Sequence, residues 1–157
     1  MRKFHVISDE QQVKDFDTYQ VWQIRKPKRA TRNSAGYDFF LPYNIIIYAG
    51  GTIKIPTGIK AEMNSDEVLK LYPRSSLGFK YGLRLSNTTG IIDSDYFDNE
   101  DNEGHIWLKL VNPSEKNIEL KAGEAVMQGI FEKFLVCDDD EASEERKGGL
   151  GSTSEKS

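Results

Sequence analysis

Residues 73–96 begin with side chains that could bind a phosphate group. Arg74 carries a planar set of donors whose geometry suits phosphate oxygens. Ser75 and Ser76 add hydroxyl and backbone N–H groups at the start of a predicted short helix over 75–81, where anions bind readily. This short stretch therefore predicts an anion site.

The same segment continues with residues that could recognise a nucleoside and activate water. Asn87 can donate and accept hydrogen bonds at once, as the edge of a nucleobase requires. Asp93 is a carboxylate placed after a Gly-Ile-Ile turn, and Tyr96 is an aromatic residue three positions later. Taken singly, Asn87 also suits a plain turn, and Tyr96 suits a half-buried strand. Their joint placement around the turn favours a binding site.

With these residues, the chain resembles the deoxyuridine triphosphate nucleotidohydrolases (dUTPases). The resemblance covers most of the chain, and its five motifs occur in the family's order. They are SAGYD at 34–38, PRSSLG at 73–78, NTTGIIDSDY at 87–96, GEAVMQGIF at 123–131 and RKGGLGSTS at 146–154.

The resemblance implies two sets of phosphate-binding residues. The first set comprises Arg74, Ser75, Ser76 and Gln128, although a strand Gln could also simply face solvent. The second lies in the tail, where glycines let backbone N–H groups approach an anion; it comprises Arg146, Gly149, Gly151, Ser152 and Thr153. A Gly/Ser-rich end alone could also be disordered, whereas the resemblance makes it a lid that closes over nucleotide.

The resemblance also implies how uracil and deoxyribose are recognised. Asn87 and the hairpin backbone of Gly90, Ile91 and Ile92 would read the uracil edge and leave no room for a 5-methyl group. Tyr96 would pack against deoxyribose and exclude UTP.

Three positions depart from the family pattern. Leu150 stands where the family usually has Phe, so it would cover the base without aromatic stacking. Ala125 replaces a frequent basic residue, and Ser154 replaces the motif's closing Gly. We expect weaker lid closure with activity retained.

The implied reaction is Mg²⁺-dependent hydrolysis of dUTP to dUMP and pyrophosphate, which limits uracil incorporation into DNA and supplies dUMP. Asp93 would position water for attack at the α-phosphorus. We expect Mg²⁺ to be held by the triphosphate and waters, with no direct protein ligand. Asp95 is assigned a structural role. Asp38 would support the water shell of the metal or orient Arg74.

Composition limits the remaining function classes. The 157-residue chain has a net charge of −4, which argues against a general nucleic-acid binder. Cys137 is the only cysteine, so no intrachain disulfide can form, and we expect it at a strand end. The polar N-terminus and the shortness of the apolar run at 45–49 predict a soluble, cytoplasmic protein without membrane contact.

Alternating patterns and turn residues predict an all-β domain at 27–137. It follows an N-terminal elaboration at 1–26 and precedes an acidic linker and Gly-rich lid at 138–157. In the elaboration, Ser8 and Gln11 could form a capping box for a helix with Val13 and Phe16 on one face. Strands are predicted at 45–48, 52–55, 59–63, 107–111 and 126–136.

The resemblance implies a distorted jelly roll with one short internal helix, assembled as a homotrimer. The C-terminal arm would be exchanged between subunits. Each site would combine the second and fourth motifs of one chain, the third motif of another and the tail of the third. His105 is expected to be an exposed loop residue, and Trp107 could line the base pocket or lie in a core or interface.

Three other functions remain open. A deoxycytidine triphosphate deaminase shares this fold, but the GIIDSDY hairpin contains no Glu to act as acid or base beside the base carbon. A nucleotide sensor could bind a protein partner through the N-terminal elaboration or the 97–103 loop. A pseudoenzyme would fit Leu150 and Ala125, although the other motif residues are retained.

Overall fold

Short antiparallel strands dominate residues 1–16 and 21–150, which the computed structural model describes. The elements in chain order are β1 (Lys3–Val6), α1 (Asp9–Phe16), β2 (Lys28–Arg29), β3 (Tyr37–Phe40), β4 (Ile45–Ile47), β5 (Thr52–Pro56), β6 (Ile59–Glu62), β7 (Glu67–Pro73), α2 (Ser75–Tyr81), β8 (Arg84–Leu85), β9 (Gly90–Asp93), a 3₁₀ turn (Ser94–Tyr96), β10 (Trp107–Val111), β11 (Ile118–Leu120) and β12 (Ala125–Lys133).

The strands pair into four antiparallel sheets, ordered β2-β3-β12-β7-β9, β5-β10-β8, β1-β6 and β11-β4. Alternate residues face a shared apolar core, as in β10, where Leu108 and Leu110 are buried and Lys109 is exposed. The largest fully buried side chains include Phe39, Leu41, Ile47, Ile55, Leu69, Leu71 and Ile118. The all-β prediction is confirmed.

Strand β7 lies between β9 and β12, and its neighbours approach it closely. Leu71 stands opposite Gly129 on β12 and opposite Gly90 on β9. A Cβ atom on Gly90 would lie 2.9 Å from the Leu71 Cβ, and one on Gly129 would lie 3.2 Å from Leu71 Cδ2. Gly90 therefore makes room for Leu71, and Gly129 makes room for Leu71 together with Leu69 and Phe39. The third and fourth motifs are thereby held on either side of β7.

Several local predictions are confirmed, but the predicted end of the last strand, at residue 136, is wrong. The structure has the predicted helix Ser75–Tyr81 and the predicted strand Trp107–Val111. Strand β12 ends at Lys133, which pairs with Glu67, the first residue of β7. Beyond Lys133, the chain has no residue of β7 to pair with. Leu135 is therefore 97% exposed, and Cys137 is exposed rather than at a strand end.

Helix α1 begins with half of the predicted capping box. The Gln11 N–H donates to Ser8 Oγ at 3.1 Å, which confirms Ser8 as the cap. The Gln11 side chain instead donates to Asp15 at 2.7 Å. Phe16 is buried, but Val13 is 77% exposed, so only Phe16 of this pair packs into the core. None of the helices in the described ranges is long and apolar enough to cross a membrane.

His105 is wholly buried, so its assignment to an exposed loop is wrong. The Gly58 N–H donates to its Nε2 at 2.8 Å. Because an amide N–H can only donate, Nε2 accepts, and Nδ1 carries the hydrogen that it donates to Asp15 Oδ2 at 2.5 Å. These partners lie far from His105 in sequence, so no local pattern could show the burial.

Stability should depend on pH through His105. Burial lowers the pKa of His105, with Asp15 partly opposing the shift. In the unfolded chain the pKa returns to about 6.5, so unfolding takes up a proton in mildly acidic solution. Stability is full above that value and is lost as pH falls toward the lower folded pKa.

We expect the urea midpoint of the wild type to fall more between about pH 7.5 and pH 5.5 than that of His105→Gln. The control is His5→Gln, which changes the chain's only other histidine, a half-buried residue on β1. The same pH slope in wild type and His105→Gln would contradict the role of His105.

Candidate active site

A pocket of about 310 Å³ lies where β3, β12 and the start of α2 meet, and we call it the Arg74 pocket. It brings together four of the predicted site residues from three motifs. Its lining residues are Ala30, Ser34, Ala35, Gly36, Asp38, Arg74, Ser75, Gln128 and Ile130. A guanidinium, a hydroxyl and an amide facing one cavity form a set of donors suited to an anion.

Arg74 follows the last residue of β7 and precedes α2. Its Nε lies 3.5 Å from Asp38 Oδ1, and the Asp38 side chain is only 14% exposed. A carboxylate held this close limits the orientations of the guanidinium, which supports the expected orienting role of Asp38.

Gln128 lies on β12 directly opposite Asp38 on β3. Its Nε2 donates to the Pro73 carbonyl at 3.2 Å, and its side chain lines the pocket rather than open solvent. A Cβ on Gly36 would lie 2.4 Å from Gln128 Oε1. The glycine of the first motif thus leaves the space in which the Gln128 amide sits.

The two serines of the second motif differ in position. Ser75 lines the Arg74 pocket, whereas Ser76 is exposed and lies outside its lining. Among the described residues, no side chain caps the N-terminus of α2. Its first backbone donors therefore lie close to the pocket without a side-chain partner.

A second cavity, of about 320 Å³, lies beside β9 and β10, and we call it the Asn87 pocket. It collects the residues predicted to bind the base, with other residues of the sheet. Its lining comprises Lys54, Leu71, Leu85, Ser86, Asn87, Gly90, Ile91, Ile92, Trp107, Leu108, Lys109 and Leu150. The tight turn before β9, with Thr88 in the left-handed region (φ 69°), presents Asn87 to the cavity.

Trp107 lies in the wall of the Asn87 pocket. Its ring packs 5.3 Å from the His105 ring, and the Lys54 ammonium lies 4.5 Å from its centroid. Sequence reasoning did not assign Lys54 to this pocket. Its only signal was the polar–apolar alternation of β5, which places Lys54 on an outer face.

Tyr96 is 5% exposed and does not line the Asn87 pocket. Its hydroxyl donates to the His105 carbonyl at 2.9 Å and accepts from Asn102 Nδ2 at 2.9 Å. Burial raises the pKa of Tyr96. The Arg146 guanidinium lies over the ring, 5.7 Å from its centroid.

The C-terminal arm returns to its own chain near the third motif. Arg146 Nη2 donates to Asp93 Oδ2 at 2.7 Å, and its Nε donates to Asp95 Oδ1 at 2.8 Å. Arg146 therefore pairs with both carboxylates and is absent from the lining of the Arg74 pocket. The predicted residues Gly151, Ser152 and Thr153 lie outside the described residues.

The arm makes a further contact with the 97–103 loop. The Gly149 N–H donates to Asp101 Oδ2 at 2.8 Å, and Leu150 then reaches the Asn87 pocket. Sequence reasoning did not identify Asp101 or Asn102 as residues of the site region. The run of Asn and Asp residues indicated only a loop.

Within the described ranges, the two pockets have no lining residue in common. The pairing of β7 with β9 on one side and β12 on the other separates the residues that each pocket uses. No group of three or more His, Cys, Asp or Glu side chains in that part of the chain could hold a metal ion.

Comparisons with known proteins agree with this geometry. A dUTPase family model matches residues 23–154. The deoxyuridine 5'-triphosphate nucleotidohydrolase of Lactococcus lactis is 49% identical over 133 residues, covering 83% of this chain and 88% of that protein. The crystal structure of dUTPase from Streptococcus mutans is 40% identical, with a TM-score of 0.70, and the match covers 86% of this chain and 98% of that one.

A more distant structure shares the fold. It is a dUTPase from a phage of Staphylococcus aureus, described as coordinating a structural Mg(II) ion; it is 16% identical, with a TM-score of 0.68 over 92% of this chain and 97% of that one. The β architecture is thus the jelly-roll type of these enzymes. With a family model matched across most of its length and a close bacterial relative, the chain belongs to the dUTPase family.

Proposed function

We propose that the chain hydrolyses dUTP to dUMP and pyrophosphate, with the triphosphate in an Arg74 pocket and uracil in an Asn87 pocket. The observation that carries this proposal is the grouping of donors suited to an anion in one cavity and of the residues predicted to bind the base in another. Family membership supports the same reaction.

The separation of the pockets supports a site shared between chains. As the dUTPase resemblance implies, the proposed complete site takes an Arg74 pocket from one subunit and an Asn87 pocket from a neighbour; the described residues that line one pocket do not line the other. The proposed assembly is a homotrimer with three such sites. Exchange of the C-terminal arm stays a prediction, since Arg146 and Gly149 contact their own chain here.

Asp93 is the proposed catalytic carboxylate. Its side chain is 52% exposed, so water can reach it. Asp93 would accept a proton from water as the water oxygen attacks the α-phosphorus, and the bond to the pyrophosphate oxygen would break. The Arg146 guanidinium would leave Asp93 and move to the phosphates, which frees the carboxylate for this proton.

Arg74, Ser75 and Gln128 would hold the phosphates, and Asp38 would keep Arg74 in place. Ser76 and the last motif would add donors from the helix start and the arm. Leaving pyrophosphate requires stabilisation of negative charge, which fixed donors supply best when water is excluded. The arm, which already lies across Asp93, Tyr96 and the Asn87 pocket, is the element positioned to exclude it.

Mg²⁺ fits this site through the nucleotide rather than through a protein cage. The described residues lack a cluster of metal ligands, and Mg²⁺ commonly keeps several waters while binding phosphates. Asp38 faces the Arg74 pocket and could accept hydrogen bonds from those waters. When bound, the ion would neutralise part of the triphosphate charge.

The first test is a product assay with Mg²⁺ and, separately, dUTP, dCTP, dTTP and UTP. Pyrophosphate release from dUTP alone is expected. Formation of dUTP or dUMP from dCTP would instead indicate a deaminase, and a lack of turnover with all four nucleotides would contradict the proposed reaction.

Asp93→Asn should lower kcat by about 10²–10⁴-fold, because the amide cannot accept the proton from water. Nucleotide binding should be nearly unchanged when measured by calorimetry with a non-hydrolysable dUTP analogue. Asp66→Asn is the matched control, since the Asp66 side chain is also 52% exposed and also pairs with a cation. Full activity in Asp93→Asn would remove Asp93 from this role.

Gly36→Ala should raise KM for dUTP and lower the thermal midpoint only slightly. The added methyl group would meet Gln128 Oε1, which can move away, and Gln128 Cβ at 3.2 Å, which must shift by a few tenths of an ångström. The measurement is steady-state kinetics of Gly36→Ala, Gln128→Ala and the double variant. If the glycine acts through Gln128, the double variant should be no worse than Gln128→Ala; fully additive losses would contradict this link.

Leu150→Phe should lower KM for dUTP, because a ring at the mouth of the Asn87 pocket could stack on the base, worth about 1–3 kcal/mol. Leu150 is 62% exposed there, so a larger side chain has room. Leu135→Phe is the control, since Leu135 is an exposed leucine outside both pockets. The same KM in all three proteins would show that residue 150 does not contact the base.

A further inference from the structure

We propose that α1 and the loop at 97–105 form a positioning unit for Tyr96 and so set the discrimination between dUTP and UTP. Asp15, Asn102 and His105 are its positioning residues. This inference rests on the proposed function and on the role that the dUTPase resemblance implies for Tyr96, which is to pack against deoxyribose. It assigns a role to the N-terminal elaboration, which precedes all five motifs.

The Tyr96 hydroxyl is fixed on two sides by the segment that follows it. It donates to the His105 carbonyl and accepts from the Asn102 side chain, each at 2.9 Å. A phenol oxygen with a donor and an acceptor in place has little freedom to move. The ring also lies under Arg146, which binds Asp93, so its position bears directly on the region of the proposed chemistry.

Asn102 is itself held in one orientation. Its Oδ1 accepts from Asn99 Nδ2 at 2.8 Å and from the Gly104 N–H at 3.1 Å. Because Oδ1 is occupied by donors, Nδ2 is the atom that faces Tyr96. Asn99 is buried and also donates to the Tyr96 carbonyl at 2.7 Å. The loop thus surrounds the tyrosine with directed hydrogen bonds.

Helix α1 holds this loop at three places. Asp15 accepts from the buried His105 ring, and Lys14 donates to the Asp101 carbonyl at 3.1 Å. At the start of the helix, the Ser8 N–H donates to the Glu103 carboxylate at 3.1 Å. Since the His105 carbonyl accepts from Tyr96, the Asp15 contact lies only one residue from the tyrosine hydroxyl.

The loop also receives the C-terminal arm. Asp101 accepts from Lys14 through its carbonyl and from the Gly149 N–H through its carboxylate. One loop residue therefore joins α1 to the arm that carries Leu150. Loosening α1 should affect both the sugar contact and the closure of the arm.

The test compares kcat/KM for dUTP with kcat/KM for UTP in the full-length protein. Asn102→Ala removes the donor to the Tyr96 hydroxyl, and Asp15→Ala removes the acceptor of His105. Each should lower the dUTP/UTP ratio by about 10–100-fold, because small displacements at a reacting complex have effects of this size. Asp15→Asn should keep most of the ratio, since its amide oxygen can still accept from His105 Nδ1.

Two controls separate positioning from general destabilisation. Val13→Ala changes an exposed residue of α1 and should leave the ratio unchanged. Val126→Ala opens a cavity in the core at β12; it should lower the thermal midpoint but not the ratio.

Tyr96→Phe supplies a second measurement should the Asp15 variant fold poorly. It removes only the hydroxyl, and its dUTP/UTP ratio of kcat/KM should match that of Asn102→Ala. The double variant Tyr96→Phe with Asn102→Ala should show no further loss of this ratio.

The outcomes distinguish the two proposals. Normal dUTP turnover with an unchanged dUTP/UTP ratio in Asn102→Ala and Tyr96→Phe would overturn this inference alone. No dUTP turnover by the wild type would overturn the proposed function and this inference with it. A reduced ratio in these variants, with Val126→Ala unaffected, would support the positioning role.

Discussion

The close packing of three strands around Leu71 is the constraint on which the site depends. Leu71 occupies space that side chains at Gly90 and Gly129 would otherwise fill. With glycine at both places, β9 and β12 can pair with β7 in register. The third motif then lies on one side of β7, the fourth on the other, and Arg74 at its end. A larger residue at either glycine would separate the parts of the site before any contact with substrate is lost.

Local sequence patterns predict the elements that position the site, because these elements form through interactions between residues that are close in sequence. The alternation of polar and apolar residues predicts the strand from Trp107 to Val111, and the serines after Arg74 predict where the helix begins. Residues of the first, second and fourth motifs, which the family resemblance assigns to one site, line one pocket in the folded chain. Asn87, the Gly90–Ile92 hairpin and Leu150 likewise line a common cavity.

Features set by distant partners could not be predicted in this way. His105 has the sequence surroundings of a loop residue, yet Asp15 and Gly58 supply partners for both ring nitrogens. Apolar character continues past Lys133, but β7 offers no further residue to pair with, so β12 ends. Arg146 has the sequence surroundings of a phosphate ligand, while in the part of the chain that the structure describes it forms ion pairs with Asp93 and Asp95.

The acidic linker determines how far Arg146 can move from Asp93. Glu132 and Asp93 both pair with Val68, so the two ends that the linker joins lie about 10 Å apart. Residues 134–145 could span roughly 40 Å when extended, and the tether is therefore slack. It keeps Arg146 near Asp93 at an effective concentration of about millimolar order, whatever the concentration of protein. With the arm on its own chain, Arg146 returns to Asp93 and Asp95 whenever nucleotide is absent, and its proposed move to the phosphates is a short transfer within one tethered arm.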